Sequence, residues 1–298
     1  MSQDRIRKKH IRLTDLPAGY PDYFFNGEGF VTNYSELNKL IIEKTCGVFR
    51  IIMNDQHSRN ALSEIMINQL SNAIGSALVD SSSRVIIISA MGKVFCAGHD
   101  LKEITAARSA DDKGVSLYQR LFSSCSSLME SIVNSEKPII AEVAGVATAA
   151  GCQLVASCDL ALASISARFA TPGVNIGLFC STPMVALSRS VKRKHAMEML
   201  LTGDMISAEK AAEIGLVNRV CSDEMLIKET NDLAVKIASK SKQTIAIGKR
   251  TFDQQAALSL KEAYVLTSNI MSQNLMTLDA EEGVGAFLGK RSPKWVDD

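Results

Sequence analysis

Apolar residues at Ile65, Met66, Leu70, Ile74 and Leu78 follow the spacing of one helix face, and Ser63 stands where an N-cap belongs. This pattern predicts an amphipathic helix over 63–79. Just before it, Lys39–Lys44 and Val48–Met53 are short β-branched runs separated by Thr45, Cys46 and Gly47, which predicts a hairpin. Arg84–Ala90 is a continuous apolar run of the kind needed by a strand covered on both faces. A helix over 114–134, a buried strand over 138–143, a helix of small residues from Ala150 and an apolar strand over 159–164 follow. Strands alternating with helices in this way call for parallel crossovers. Beyond residue 184 the pattern is almost wholly helical, ending in amphipathic segments near 223–240, 243–257 and 260–289. In the last of these, Ala263, Leu266, Ile270 and Leu278 form an apolar stripe with a polar face expected opposite. The organisation expected is an N-terminal extension over 1–38, an α/β core over 39–220 and a helical C-terminal region over 221–298.

Composition narrows the function classes. With 46% hydrophobic residues the chain can bury a sizeable core. The 33 basic and 32 acidic residues nearly cancel, so no charge excess points to nucleic acid or anionic lipid. No apolar run approaches the length that spans a bilayer. Seven scattered cysteines without a C-x-x-C pair, and four dispersed histidines, give neither a disulfide framework nor a metal signature. A reducing compartment is the default, read as cytoplasmic. The basic residues Arg5, Arg7, Lys8, Lys9 and Arg12 make a mitochondrial presequence the alternative, with Asp4 and scarce serine against it. Tyr20, Tyr23, Phe24, Phe25, Phe30 and Tyr34 concentrate aromatics in one irregular segment, read as surface-attached.

Two loops end buried strands and open helices: MGKVFCAGHDLKE at 91–103 and AGVATAAGCQ at 144–153. Gly98 permits a tight turn, and backbone N–H groups at helix starts favour anions. Two such N–H clusters from adjacent parallel strands can converge on one oxygen and stabilise an enolate or thioester oxyanion.

The residues in these loops make the resemblance specific. With FCAGHDLKE at 95–103, KPIIAEVAGVATAAGCQLVASCDLALAS at 137–164, FATPGVNIG at 169–177, LTGDMISAEKAAEIGLVNRV at 201–220 and EEGVGAFLGKRSPKW at 281–295, the chain resembles the crotonase superfamily from Lys39 to its end. The likeness is to the enoyl-CoA hydratase/isomerase family, and within it to the enoyl-CoA hydratase domain-containing group. It implies a crotonase-like spiral of ββα units with a helical C-terminal trimerisation region, assembling as a trimer or hexamer. It also implies an acyl-CoA thioester as partner, with no cofactor beyond the coenzyme A that the substrate carries, no metal, no nucleic acid and no membrane. The positions matching the two oxyanion donors are His99 and Ala150. Arg59, Ala61, Gly98, His99, Asp100, Leu101, Lys102, Ala149 and Ala150 match the acyl-CoA-binding positions. Phe287, Lys290 and Arg291 would close the nucleotide end of the site. Asp100 is read as a loop-ordering cap rather than a catalytic group.

The departures bear on the reaction. Hydratases of this family flank a water with two glutamates acting as acid and base. The matching positions here are Gln153 and Gly173, neither of which exchanges a proton near neutral pH. A glycine in a TPG turn is also expected to hold φ > 0, which would resist a glutamate. Candidate replacements are Glu103, Glu142, Cys180 and His99. His99 is the sharpest, because the AGHD tetrad is similar to the methylmalonyl-CoA decarboxylase branch, where an imidazole could meet a substrate carboxylate. Three readings follow: an acyl-CoA-binding protein of hydratase/isomerase type with altered chemistry, a decarboxylase of short dicarboxylyl-CoA substrates, or a non-catalytic thioester binder.

Overall fold

The computed structural model describes residues 35–296. A seven-stranded sheet holds β1 (Ser35–Leu37), β2 (Leu40–Thr45), β3 (Val48–Met53), β4 (Val85–Ala90), β6 (Ile139–Val143), β8 (Leu160–Ser164) and β11 (Arg219–Cys221), side by side in that order. The hairpin β2–β3 is antiparallel, and from β3 to β11 every pairing is parallel. Each of β3, β4 and β6 is buried along nearly its whole length, as their unbroken apolar runs require.

A second sheet in the order β10–β9–β7–β5 explains the spiral. Its strands are β5 (Val94–Cys96), β7 (Val146–Thr148), β9 (Arg168–Ala170) and β10 (Ile206–Ser207). Strand β4 turns into β5, β6 into β7 and β8 into β9, so each unit is two strands, one in each sheet, followed by a helix. The turn from β6 to β7 needs glycine: Gly145 has φ +80, and a Cβ there would lie 2.1 Å from the Lys93 carbonyl oxygen. After the three units come α2 (Leu101–Ala107) and α3 (Val115–Val133), α4 (Ala150–Ser157), and α5 (Ser181–Ser190).

One face of the large sheet packs under α1 (Glu64–Val79), α3 and α4 around Phe49, Leu70, Ile74, Phe95 and Leu128. The other face carries Val85, Ile87, Ile140 and Leu162 beneath α8 (Leu226–Ala238). Helix α1 starts where predicted, with Ser63 accepting a hydrogen bond from the Met66 amide. The remaining helices are α6 (Arg193–Thr202), α7 (Ala208–Glu213), α9 (Lys242–Ala256), α10 (Leu260–Leu275) and α11 (Leu278–Leu288).

One expectation needs correction. The segment 260–289 is not one helix: α10 ends at Leu275, and Thr277 caps α11 by accepting from the Ala280 amide. Leu260, Tyr264, Met271 and Leu275 of α10 are exposed. No helix among the described residues is long and apolar enough to cross a membrane.

Candidate active site

The two glycine-rich loops meet. Gly98 has φ +90, and a Cβ on it would come within 2.9 Å of the Ala149 Cβ and 3.4 Å of the Ala150 nitrogen. Only a glycine lets the β5 loop lie this close to the start of α4. Across the contact, Ala149 holds φ 50, ψ −118, a conformation costly for alanine. It is fixed from both sides: its N–H donates to the Ala170 carbonyl at 3.0 Å, and its carbonyl accepts from the Gln153 N–H at 3.0 Å. That conformation turns the chain so that Ala150 opens α4, where the first amides have no helical acceptor.

The first loop is tied down from the other side by residues 59–62. The Arg59 carbonyl accepts from Ala97, and the Leu62 N–H donates to the Gly98 carbonyl at 2.8 Å. Leu62 and His99 form an isolated parallel bridge. In a bridge of this kind the groups flanking His99 bond to Leu62, so the His99 N–H points away from it. Among the described residues neither the His99 nor the Ala150 amide donates to another backbone group. Two free N–H groups on abutting loop ends are the arrangement that stabilises an oxygen gaining negative charge.

The His99 side chain is held as firmly. Its Nδ1 lies 3.1 Å from the Leu62 carbonyl oxygen. A carbonyl only accepts, so Nδ1 carries the proton and Nε2 offers a lone pair. The ring meets Phe122 of α3 edge-on, centroids 5.2 Å apart. Burial depresses the imidazole pKa below its ordinary value, against a smaller opposing effect of the Leu62 carbonyl. Burial thus disfavours the charged imidazolium.

Comparison with known proteins decides the family. The enoyl-CoA hydratase/isomerase family model matches residues 43–298. The chain belongs to that family. Enoyl-CoA hydratase domain-containing protein 3, mitochondrial, of Xenopus laevis is 49% identical over 270 residues, 90% of each chain. The human protein of the same name is 48% identical over 249 residues, 84% of this chain and 80% of its own. The crystal structure of human enoyl coenzyme A hydratase domain-containing protein 3 superposes with a TM-score of 0.82 at 46% identity, over 87% of this chain and all of that one. An enoyl-CoA hydratase structure from Mycobacterium smegmatis gives a TM-score of 0.82 at 45% identity, covering 87% of this chain and 99% of that one.

At Gln153 and Gly173, which the resemblance matches to the family's glutamates, the structure is closed and neutral. Gln153 is 4% exposed on α4, and its Oε1 has no partner. Gly173 does not hold positive φ, contrary to expectation. It is glycine for a different reason: a Cβ there would lie 2.5 Å from the Leu178 carbonyl oxygen and 2.9 Å from Cys180 Sγ. The chain after Gly173 turns back, with the Leu178 N–H donating to the Gly173 carbonyl at 2.9 Å, and fills the space a side chain would use.

The other candidates separate clearly. Glu142 is buried on the far face, paired with Arg50 at 2.5 Å, while Arg50 also donates to Asn231 of α8. It does not stand with the loops. Glu103 accepts from the Glu64 N–H at 3.2 Å and so ties α2 to the start of α1; burial is the first cause raising its pKa. Asp100 caps α2 by accepting from the Lys102 and Glu103 amides. Leu101 and Lys102 are exposed beside it, Arg59 is exposed, and Ala61 is buried next to the first loop. Burial pushes the Cys180 thiol up, away from thiolate character. Phe287 lies exposed on α11, and Lys290 follows it; within the chain α11 packs on α9 and α10. Arg291 is occupied by a two-pronged pair with Glu282 at 2.6 and 2.7 Å. Among the described residues no group of His, Cys, Asp and Glu is placed to hold a metal.

The site also contains a residue the sequence reading did not single out. Thr171, fully buried, follows Ala170 directly and leaves its hydroxyl without a partner. The signal is its place in the TPG stretch, two residues before Gly173.

Proposed function

We propose that the protein binds acyl-CoA thioesters and polarises them through the His99 and Ala150 amides, without the paired-carboxylate hydration that the resemblance would imply. The observation that carries this is the abutment of Gly98 on Ala149 and Ala150, which joins two segments whose His99 and Ala150 amides have no backbone acceptor. A thioester oxygen held there would shift charge toward an enolate, easing proton movement at the adjacent carbon. With an amide at Gln153 and no side chain at Gly173, no carboxylate remains at either matching position to activate a water. Asp100 and Glu103 are structural groups in this reading. The nucleotide portion would run past Arg59, Ala61 and Lys102, with Phe287 and Lys290 supplied by assembly.

The decarboxylase reading is the weaker one. A substrate carboxylate would favour a cationic partner, and burial disfavours the charged form of His99. The mitochondrial matrix is the favoured compartment, supported by the basic residues of the N-terminal arm and by relatives whose names include "mitochondrial".

Calorimetric titration with butyryl-CoA and free CoA tests the binding. Heat with the thioester that exceeds that with CoA is expected, and its loss in a Gly98→Val variant would tie it to the loops. Absence of heat or thermal shift with any acyl-CoA would end the proposal.

A further inference from the structure

Among the described residues, Arg59 and Asn60 are the only adjacent non-glycine pair to hold positive φ, at 58 and 53. Such a conformation is costly for residues with side chains, and surrounding contacts must hold it in place. Asparagine tolerates it better than most, and Asn60 is completely buried. Its side chain is fully used. The Oδ1 accepts from the Asp55 N–H at 2.8 Å, and Nδ2 donates to the Met91 carbonyl at 3.0 Å and the Val94 carbonyl at 2.7 Å. The Asn60 N–H also donates to the Asp55 carbonyl at 2.8 Å, so the turn from 55 to 60 is closed twice.

This turn grips the segment that ends at His99. Asn60 holds the entry to β5 at Met91 and Val94, and the backbone of its neighbours holds the exit. There the Arg59 carbonyl accepts from the Ala97 N–H at 3.2 Å, and Leu62 bonds to the Gly98 carbonyl and to the His99 ring. The left-handed pair reverses the chain after Ser58, and residues 59–62 then run beside 97–99 in the bridge between Leu62 and His99. Simple replacements do not supply the same set of bonds. Glycine accepts the left-handed backbone but makes none of the three side-chain hydrogen bonds. Aspartate keeps the size and the acceptor, and sets a carboxyl oxygen against two carbonyl oxygens.

We propose that Asn60 is a positioning residue: through the turn at 55–60 it fixes the segment 91–99, and with it the direction in which the His99 N–H meets a thioester oxygen. This rests on the acyl-CoA reading above and deepens it by adding a residue that itself touches no ligand. A donor to a developing negative charge is effective only when its direction is set before the ligand arrives. Strain at Arg59 and Asn60 is what it costs to hold the first loop from both of its ends.

The test compares the full-length parent with Asn60→Gly and Asn60→Asp. Calorimetric titration gives their affinities for butyryl-CoA and free CoA, and difference infrared spectroscopy follows the isotope-labelled thioester carbonyl when bound. Polarisation lowers the carbonyl stretching frequency, so the band reads the donors themselves. In both variants affinity for butyryl-CoA is expected to fall about 3- to 10-fold more than affinity for free CoA, the span of one hydrogen bond. The band should move back toward that of the unbound thioester. Asn60→Asp carries the test if Asn60→Gly does not fold. Lys137→Met is the stability control, because Lys137 is buried and donates to the Ala77 and Asp80 carbonyls at the far end of α1. It should melt at a lower temperature than the parent while the affinity ratio and the band stay as they are. Asn60 variants that keep the parent's ratio and band would overturn the proposal, and so would an equal loss for both ligands with the band unmoved. A band that moves as far in Lys137→Met would overturn it too, by tying the donors to stability at large. A parent that binds no thioester would remove the acyl-CoA reading itself, and this inference with it.

Discussion

Gly173 resists the substitution that would make the chain match the family's hydratases. The obvious restoration, Gln153→Glu with Gly173→Glu, assumes that the space for two carboxylates is still there. At Gly173 it is not, because the Leu178 carbonyl and Cys180 Sγ occupy it at 2.5 and 2.9 Å from the position of a Cβ. Gly173→Ala alone is therefore expected to destabilise the protein by about 1–3 kcal/mol, the usual range for overpacking, read by urea denaturation. The double variant should leave crotonyl-CoA hydration no faster than the parent. A double variant faster than the parent would contradict this, and a parent rate of ~10 s⁻¹ or more, ordinary for an enzyme, would require another base. His99 makes a second prediction at the same scale. Its folded pKa is depressed by burial, so the unfolded chain takes up a proton first as pH falls. Its contribution to stability is present above about pH 6.5, the unfolded value, and is lost as the pH falls below that. His99→Phe should flatten this part of the melting-temperature profile between pH 7 and 5.

At the scale of elements, β2, β3, β6 and α8 share a buried charge cluster on the face away from the loops. Glu43 faces Arg50 in the β2–β3 register, Arg50 pairs with Glu142 of β6, and its other nitrogen donates to Asn231 of α8. Desolvation pushes the Glu43 pKa up to about 7, offset in part by Arg50 and reinforced by the Glu142 charge. Because the folded value lies above the unfolded one, the stability linked to this proton is complete below about pH 4.5 and is lost as pH rises through about 7. Glu43→Gln should therefore make the protein more stable than the parent at pH 8, by up to about 3 kcal/mol, and close to it at pH 5. Arg50→Met should cost about 3–5 kcal/mol by leaving Glu142 buried and unpaired. The cluster also shows where sequence reading stops. Glu142 was visible as a carboxylate on a strand, but the side it faced depended on which helix covered that sheet face. Strands β4 and β6 were legible because their apolar runs are long and unbroken. The three-residue strands β5, β7 and β9 were not, being too short to show a period and made of the same small residues as turns. For the same reason the loop meeting at Gly98 could be placed by motif, but the closure of Gly173 by Cys180 could not. That contact links residues seven apart through a turn with no periodic signal.

At the scale of the whole molecule, α10 and α11 are not explained by one chain. Helix α10 spans Leu260–Leu275 without a buried residue, and Leu260, Phe287 and Leu288 are 76%, 83% and 75% exposed. These helices are nonetheless well finished. Ser259 and Glu262 form a reciprocal cap on α10, Thr277 caps α11, and the tail is strapped down by Trp295 donating to the Ser239 carbonyl and by Arg291 on Glu282. Beside them runs a groove of about 600 Å³ lined by Ile247, Phe252, Leu260, Tyr264 and Ile270. Caps hold a helix in shape, but an apolar surface of this extent marks a contact with another molecule. The mixture of a fixed backbone and an uncovered apolar face suits association of identical subunits, which would carry Phe287 and Lys290 toward a neighbouring site. Light scattering at micromolar concentration is expected to give a trimer or hexamer of the 32.3 kDa chain. Phe287→Asp combined with Leu260→Asp should shift it toward monomer while the far-ultraviolet spectrum stays that of the parent. Acyl-CoA affinity should fall in step with assembly if neighbouring subunits complete the nucleotide end. A parent that runs as a monomer at that concentration would remove the assembly, and a dissociated variant that binds as tightly as the parent would confine the site to one chain.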